Sequence, residues 1–329
     1  MLTWLGFVFL VAFAGSFARV MAQTEGEPAE DVGASRKPDD AQRSSNGVVA
    51  SSAVLASGAA LKAGMVALAV TLKRFFRTPL ANRVESIDLG ECSEQELDDL
   101  CEKLYAIHSK VFDGVSREAF EHYVIRSPAA RTKLDIFKHR GEWVGYLAIH
   151  DFSVWIDGME FIVRRGETGI LPEYRKRNWA TKKMAWDGVR LKLSHPTANI
   201  YVLGCFVNPA MYYSLARFMY ELYPNHRSQT PREILRLMRQ LAELFRLEPI
   251  EGENPFVRRV GWQVKERELN HERVMRSGHE EIQFYLALNP RYKNGYGLEV
   301  LFPLSMKNLA LSFLNSVSLR SHLPWRIQR

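Results

Sequence analysis

The sequence predicts a mixed α/β fold with a mostly antiparallel central sheet, flanking helices and a C-terminal α/β extension. Two observations carry this prediction. Apolar and polar residues alternate in three successive segments joined by tight-turn residues, which is typical of antiparallel strands. The complete order of elements is strand, helix, helix, three strands, helix, strand, helix, which differs from the regular alternation of a doubly wound parallel sheet.

The first elements precede the three-strand segment. Arg83 to Leu89 alternates and predicts a strand. Ser93 and Glu96 form a capping-box pattern, and the apolar residues from Leu97 to Val111 then follow at helical spacing. A second helix is predicted from Ser116 to near Pro128.

Three strands are predicted next, over Lys133 to Lys138, Glu142 to Trp155 and Met159 to Ile170. Asp157-Gly158 between the last two is a hairpin signal.

The elements after the three strands are two helices with a strand between them. Trp179 to Leu193 predicts a helix that turns Met184, Val189 and Leu193 inward, and Asn199 to Val207 predicts a buried strand. Asn208-Pro209 starts another helix, predicted to run through Tyr220. If the strands before and after the Trp179 helix diverge, they open a cleft for an extended ligand.

Composition limits the partners. The chain has 329 residues, 47% hydrophobic content and a formal net charge of +7. No long Lys/Arg block with interleaved aromatic residues is present, so we expect no nucleic acid partner; a phosphate-bearing small ligand and a membrane surface explain the charge instead. The three cysteines, Cys92, Cys101 and Cys205, lack metal-ligand spacing, so neither a disulfide framework nor a metal site is expected.

The N-terminal quarter has a different character. Residues 1–22 read as an apolar leader (a signal or membrane segment), 23–47 as a disordered polar loop, and 48–77 as a transmembrane helix whose basic edge contains Lys73, Arg74 and Arg77. The basic edge places the downstream domain in the cytoplasm, anchored to the membrane by these segments. The alternative is that translation begins later, for example at Met65.

The segment Leu171 to Ala180 contains the most informative motif. Basic residues follow a predicted strand and open a predicted helix, where unpaired backbone N–H groups and the helix dipole favour an anion such as a pyrophosphate. The alternative interpretation is a solvated basic turn.

This motif, together with the order of elements, resembles the GNAT superfamily of acyl-CoA N-acyltransferases over roughly Arg83 to Pro224. The pyrophosphate motif of that family, [Gln/Arg]-x-x-Gly-x-[Gly/Ala] after Pro-Glu-Tyr, is similar to the stretch from Pro172 to Ala180 here. Asn178 replaces the central Gly, and Asn is the residue that best tolerates the positive φ for which Gly is used. The resemblance implies an enzyme domain over 83–224, with 225–329 as an extension packed on it.

The resemblance also implies roles for individual residues. The acyl donor is acetyl-CoA or another acyl-CoA, and the pantetheine arm would pair with Ile170 and Leu171. Asn208, at the end of the following strand, is counted with the cofactor-binding residues. The pyrophosphate would be held by the following residues: Arg175, Lys176, Arg177, Asn178, Trp179, Ala180 and Thr181.

Two catalytic residues are expected. Glu167, late on the strand that enters the loop, is the first choice of general base, ahead of Glu173, Glu160, His150 and Asp151. Tyr213 is the best-placed hydroxyl to protonate the leaving thiolate, since the family's usual Tyr position is occupied here by Leu215.

The extension contains further elements. Thr230-Pro231 predicts a helix start with Thr230 as cap, Val257 to Val264 a strand, and Glu281 to Leu288 a helix. Leu298 to Phe302 reads as a buried strand. The apolar helix Met306 to Leu319 is expected to pack on the sheet; the alternative is a membrane surface.

The function predicted is transfer of an acetyl or other acyl group from CoA, by direct attack, to a small-molecule or peptide amine. One alternative is a synthase of N-acyl amino acids or signals that uses long-chain acyl-CoA or acyl carrier protein. The other is a catalytically inactive CoA-binding module.

Overall fold

The computed structural model describes residues 83–177, 179–265 and 276–321. At residues 176–177 and 317–321 it describes the backbone alone. All of them lie in the unit formed by residues 80–329. The leader, polar loop and spanning segment predicted over residues 1–77 lie outside the described residues. Within the described ranges no helix is both long enough and apolar enough to cross a membrane.

The elements follow one another in an order close to the predicted one. The strands are β1 Val84–Asp88, β2 Phe112–Asp113, β3 Arg131–His139, β4 Glu142–Ile156, β5 Met159–Ile170, β6 Asn199–Phe206, β7 Val257–Arg259, β8 Gln263–Val264 and β9 Tyr296–Pro303. The helices are α1 Glu94–Val111, α2 Arg117–Phe120, α3 Trp179–Ser194, α4 Pro209–Ala216, α5 Arg232–Leu244, α6 Glu280–Leu288 and α7 Met306–Ser321. A π-helical turn, Glu121–Ile125, extends α2, and a 3-10 segment, Pro172–Arg177, precedes α3.

Seven of the described strands form one sheet in the order β1-β3-β4-β5-β6-β9-β7, while β2 pairs with β8. Every pair in the large sheet is antiparallel except β5 with β6. The predicted class, mixed and mostly antiparallel α/β with flanking helices, is therefore confirmed. The predicted hairpin at Asp157-Gly158 is confirmed as well: both residues have positive φ, 52° and 79°, as the two-residue turn that best matches strand twist requires.

Strands β5 and β6 diverge. Their parallel pairing covers only Phe161–Arg164 and Asn199–Val202, whereas β5 continues to Ile170 and β6 to Phe206. The cleft that the element order predicts thus lies between Arg165–Ile170 and Leu203–Phe206.

Helices cover both faces of the sheet. On one face, α1 packs through Leu100 and Leu104 against β3 and β4, and α5 packs through Leu241 against β5 and β6. On the other face, α3 packs on β4, and helices α4 and α6 pack on β6 and β9. We call the α1 and α5 side the first face; Tyr146, Ala148 and His150 of β4 point to it.

Residues beyond 224 complete the same sheet. Strand β9 pairs with β6 over six positions, from Tyr201↔Pro303 to Phe206↔Leu298. Helix α7 docks through polar side chains: the Asn308 amide donates to the carbonyls of Glu221 and Pro303, and its oxygen accepts from the Glu221 N–H at 2.8 Å. The final helix therefore packs on the domain.

Two helix predictions need correction. Leu193 is 46% exposed rather than inward, because α3 instead buries Asp187 and Lys192, whose polar ends find partners in the protein. Thr230 does not cap α5: Pro231 has an extended ψ of 149°, and the helix begins at Arg232.

The segment Val257 to Val264 is not one strand. Gly261 has a φ of 80°, and the N–H groups of Val260 and Gly261 both donate to the Gly295 carbonyl. This turn divides the segment, so β7 joins the large sheet and β8 pairs with β2.

Candidate functional site

The open edge of β5 supplies backbone hydrogen-bonding groups to the cleft. The Leu171 N–H donates to the Val144 carbonyl at 3.0 Å, and antiparallel pairing alternates along β4 and β5. Alternation directs the backbone groups of Gly166, Thr168 and Ile170 away from β4, toward the gap left by β6. An extended ligand can pair with such an edge as an added strand does. Of the two strand-end residues predicted to hold pantetheine, only Ile170 points its N–H toward the gap.

The N-terminus of α3 follows β5 in the chain, after the 3-10 segment Pro172–Arg177. Trp179, Ala180 and Thr181 form the start of this helix, where backbone N–H groups point toward the helix N-terminus. Trp179 is buried and stacks between Phe137 and Tyr174, which fixes where the helix begins. Asn178 and the side chains of Lys176 and Arg177 lie outside the described part of the chain.

Arg175 connects the strand end to the 3-10 segment. Its Nε donates to the Ile170 carbonyl at 3.1 Å, and its side chain is half-buried. This contact holds the turn against the last residue of β5, next to the opening of the cleft.

A buried charge cluster docks α3 on the sheet. The Lys183 ammonium lies 3.0 Å from the Asp135 carboxylate and 2.7 Å from that of Asp187, and Lys133 contacts the same two carboxylates. Asp135 is fully buried. Since Lys183 lies about one helical turn after Trp179, the first residue of α3, the cluster also positions the helix N-terminus.

Glu167 lies on the first face beside the cleft. Its carboxylate is 2.8 Å from Nε2 of His150, and Nδ1 of that histidine is 2.9 Å from the Thr132 hydroxyl. Burial raises the pKa of Glu167, but the His150 imidazole and the Arg165 guanidinium outweigh it, and the net shift is downward. The carboxylate is therefore ionised at neutral pH.

A second buried polar pair lies next to Glu167. The Tyr146 hydroxyl is 2.8 Å from Nδ1 of His108, and both side chains are almost completely buried. Burial lowers the pKa of His108 to about 4, so the imidazole is neutral at pH 7. The ring of Tyr146 lies over Gly169, where a Cβ would come within 2.6 Å of it. Glycine at 169 thus lets the tyrosine approach the strand at the cleft.

Across the cleft, Cys205 of β6 lies near enough to Glu167 and Arg165 to interact with both electrostatically. Burial raises the pKa of its thiol to about 12, so it is not a thiolate at neutral pH. Its cross-strand partner Glu299 is buried and paired with Arg258 at 2.6 Å. Among the described residues no group of His, Cys, Asp and Glu could hold a metal ion.

Tyr213 and Asn208 are positioned by α4. Asn208 lies two residues beyond the end of β6 and caps the helix, its oxygen accepting from the Ala210 N–H at 2.7 Å. The Tyr213 hydroxyl is 3.4 Å from Nε2 of His279, whose ring it contacts. Helix α4 covers the face opposite the one that carries Glu167, so the structure does not bring the two predicted catalytic side chains into contact.

Sequence reasoning missed the pairing of His150 with Glu167, although one signal for it exists. The two-residue turn at Asp157-Gly158 sets the register, pairing His150 with Arg165 and Ala148 with Glu167. His150 and Glu167 are therefore diagonal neighbours on one face. The contact of His150 with Thr132 could not be predicted from the turn alone, because a register shift between Phe137 and Lys138 decides which residues of β3 share that face.

Comparisons with known proteins give similarities in structure alone. No protein-family model matches the chain, and the comparison with curated proteins gives no match. A conserved protein of unknown function from Enterococcus faecalis V583, described as a probable N-acyltransferase, is 12% identical with a TM-score of 0.28. The match covers 42% of this chain and 33% of that one, so the chain spans about a third of that protein's length.

Two further solved structures match over more of the chain. The GphF GNAT-like decarboxylase in complex with isobutyryl-CoA is 12% identical with a TM-score of 0.31, covering 68% of this chain and 99% of the other. Arabidopsis thaliana NAA60 in complex with acetyl-CoA is 10% identical with a TM-score of 0.30, covering 67% and 98%. Several other solved structures that the chain resembles are described as acetyltransferases, among them one from Vibrio fischeri and the ribosomal-protein-S18-alanine N-acetyltransferase from Escherichia coli.

Proposed function

We propose that this protein is an acyltransferase that moves an acyl group from an acyl-CoA to an amine. The observation that carries the proposal is the divergence of β5 from β6 immediately before the N-terminus of α3. The gap offers strand-like hydrogen bonding, which suits the amides of pantetheine, and the helix end offers N–H groups, which suit a pyrophosphate.

In this proposal, different residues bind the pantetheine arm and the pyrophosphate of the acyl-CoA. The backbone from Gly166 to Ile170 pairs with the pantetheine arm, and Asn208 borders it from the end of β6. The pyrophosphate is held by the residues of the turn and the first helical turn, namely Arg175, Lys176, Arg177, Asn178, Trp179, Ala180 and Thr181.

Glu167 acts as the general base. An ammonium cannot attack a thioester, so the acceptor must lose a proton, and an ionised carboxylate beside the cleft can take it. The new N–C bond then forms as the C–S bond breaks. The N–H of Ile170 points toward the gap and stabilises the oxyanion that develops on the thioester carbonyl. Tyr213 returns a proton to the leaving thiolate.

One backbone donor can be removed to test the pyrophosphate site. Thr181 is the third residue of α3, within the first turn, where a helix tolerates proline. Thr181→Pro deletes that N–H, whereas Thr181→Ala deletes only the side chain and serves as the matched control. By titration calorimetry we expect Thr181→Pro to weaken CoA binding about tenfold, as loss of one charge-assisted hydrogen bond predicts.

Pantetheine lacks the pyrophosphate, so its affinity tests the pantetheine-binding half of the site without the pyrophosphate-binding half. We expect its affinity to be the same for both Thr181 variants. Absence of CoA binding by the wild-type protein would contradict the proposal. Binding of acetyl-CoA without transfer to any amine in a broad screen would identify a CoA-binding protein that is not a transferase.

A further inference from the structure

Arg165 lies two residues before Glu167 on β5, and no described residue forms a hydrogen bond or salt bridge with its guanidinium. Its side chain is half-buried. Arg165 and Glu167 are two residues apart and share one face of β5, and the pairing of β5 with β6 ends at Arg164, so Arg165 lies at the opening of the cleft.

Neighbouring arginines behave differently. Arg164, the preceding residue, points to the opposite face and forms two hydrogen bonds to the Asp151 carboxylate, at 2.7 and 2.8 Å. Arg258, on the same face as Arg165, contacts the Glu299 carboxylate through Nε at 2.7 Å and Nη2 at 2.6 Å. Arg164 thus contacts both carboxylate oxygens of Asp151, and Arg258 places two nitrogens on Oε2 of Glu299. Arg165 has the same donors, and no carboxylate among the described residues accepts from them.

The guanidinium of Arg165 is nevertheless held in place. It lies 5.2 Å from the ring centre of Phe245, and Phe245 packs edge-on against Phe152 at 4.9 Å. Stacking on an aromatic ring fixes the plane of a guanidinium without using its N–H donors. The arrangement presents an oriented and unused donor fork on the first face of the sheet.

Glu167 lies on the same face of the same strand, at a spacing of about 7 Å between the two Cα atoms. We propose that the acceptor is a free amino acid, whose carboxylate Arg165 binds through two hydrogen bonds while Glu167 takes the proton from its amine. The inference rests on the proposed function and names its substrate class. In a free α-amino acid one carbon separates the two groups, so a short molecule contacts both side chains.

Glu167 accepts the first proton that the ammonium group loses, the amine nitrogen bonds to the thioester carbon, and the C–S bond breaks to release the CoA thiolate. The nitrogen loses a second proton as it becomes an amide, and this proton replaces the one that Tyr213 gives to the thiolate, so the products are the amide, the CoA thiol and protonated Glu167. The carboxylate stays bound to Arg165 throughout and takes no part in the bond changes. Arg165 therefore determines which amines are accepted.

The test compares each of the twenty common amino acids with its α-amide, using the full-length protein and acetyl-CoA and following thiol release. For the best acceptor we expect wild-type kcat/KM to favour the acid over the amide by about a hundredfold, as two charge-assisted hydrogen bonds predict. Arg165→Met should reduce that ratio to near one. Arg165→Lys, which keeps the charge and loses the fork, should give an intermediate ratio.

Separate controls test whether the effect is specific to position 165 and whether the variants fold. Arg239→Met, at an exposed position on α5, should keep the wild-type ratio. Both Arg165 variants should bind CoA within twofold of wild type, which shows that the fold is intact. A ratio that stays high in Arg165→Met, or wild-type protein that acylates amides as well as acids, would overturn the inference and leave the acyltransferase proposal standing. Failure of CoA to bind wild-type protein would overturn both.

Discussion

At the scale of single residues, the ionisation of Glu167 depends on opposing influences. Burial alone would raise its pKa and keep it protonated at mildly acidic pH, which would make it a poor base there. The imidazole of His150, 2.8 Å away, outweighs this together with Arg165. His150 contacts Glu167 and not the reacting atoms in the proposed mechanism, so it is a positioning residue that keeps the base ionised.

Replacing His150 tests this role through pH dependence. With acetyl-CoA and the best amine, activity needs deprotonated Glu167, so kcat/KM falls on the acidic side of its pKa. In wild type that pKa is lowered below 4.5. His150→Gln keeps a donor near Thr132 and removes the imidazole, so burial prevails and the pKa rises. We expect the acidic limb of the kcat/KM profile to move to higher pH.

The control for His150→Gln is Glu160→Gln, an exposed carboxylate at the start of β5, the strand that carries Glu167. Its acidic limb should coincide with that of wild type. If His150→Gln lowered activity equally at every pH, the histidine would have a structural role only.

At the scale of elements, local chemistry determined where most helices and turns lie. The Ser93 capping box forms with both expected hydrogen bonds, at 2.8 and 3.4 Å, because its partners are three residues apart. Asn208 caps α4 for the same local reason. The inward face of α3 was misjudged because apolar periodicity omits buried charge: Asp187 and Lys192 are buried through partners elsewhere in the sequence.

The charged cluster beneath α3 leads to a prediction about that element. Lys183→Ala removes a cation that lies within 3.0 Å of two largely buried carboxylates. We expect the free energy of unfolding, measured by urea denaturation, to fall by about 3 kcal/mol, since an uncompensated buried charge remains. Affinity for CoA should fall as well, because the helix N-terminus loses its anchor.

Lys182 provides the matched control for this element. It is the adjacent residue on α3, and the part of the chain that the structure describes gives it no salt bridge. Lys182→Ala should change the unfolding free energy by less than about 0.5 kcal/mol. Equal effects of the two alanine substitutions would mean that the cluster does not stabilise the docking of α3.

At the scale of the whole molecule, the fold class and the position of the cleft could be predicted from the sequence, and the pairing of the late strands could not. The β4–β5 register follows from Asp157-Gly158, since a two-residue turn fixes every cross-strand neighbour. Nothing near Leu298 indicates that β9 inserts between β6 and β7, because its partners are about a hundred residues earlier in the chain. The pairing of Arg258 with Glu299, 41 residues later, was hidden for a similar reason, as was the lack of any such partner for Arg165 among the described residues.

This late strand makes residues 80–329 one folding unit. Strand β9 covers the edge of β6, and its residues Leu298, Val300 and Leu301 are completely buried. Tyr223, one residue before the boundary suggested by the family resemblance, exchanges two backbone hydrogen bonds with Leu301, at 2.9 and 2.8 Å. A chain that stops at residue 224 therefore loses its edge strand and exposes a row of unpaired backbone groups on β6.

We expect a fragment of residues 80–224 to show no cooperative thermal transition by circular dichroism, whereas 80–329 unfolds cooperatively. Burying the three apolar side chains contributes roughly 1.5–3 kcal/mol each, so their loss removes much of the roughly 5–15 kcal/mol that stabilises a typical domain. The exposed edge of β6 would also make the fragment prone to aggregation. A cooperative transition of 80–224 within a few degrees of the longer chain would show instead that β1 to β6 fold independently, with the last strands added to a preformed sheet.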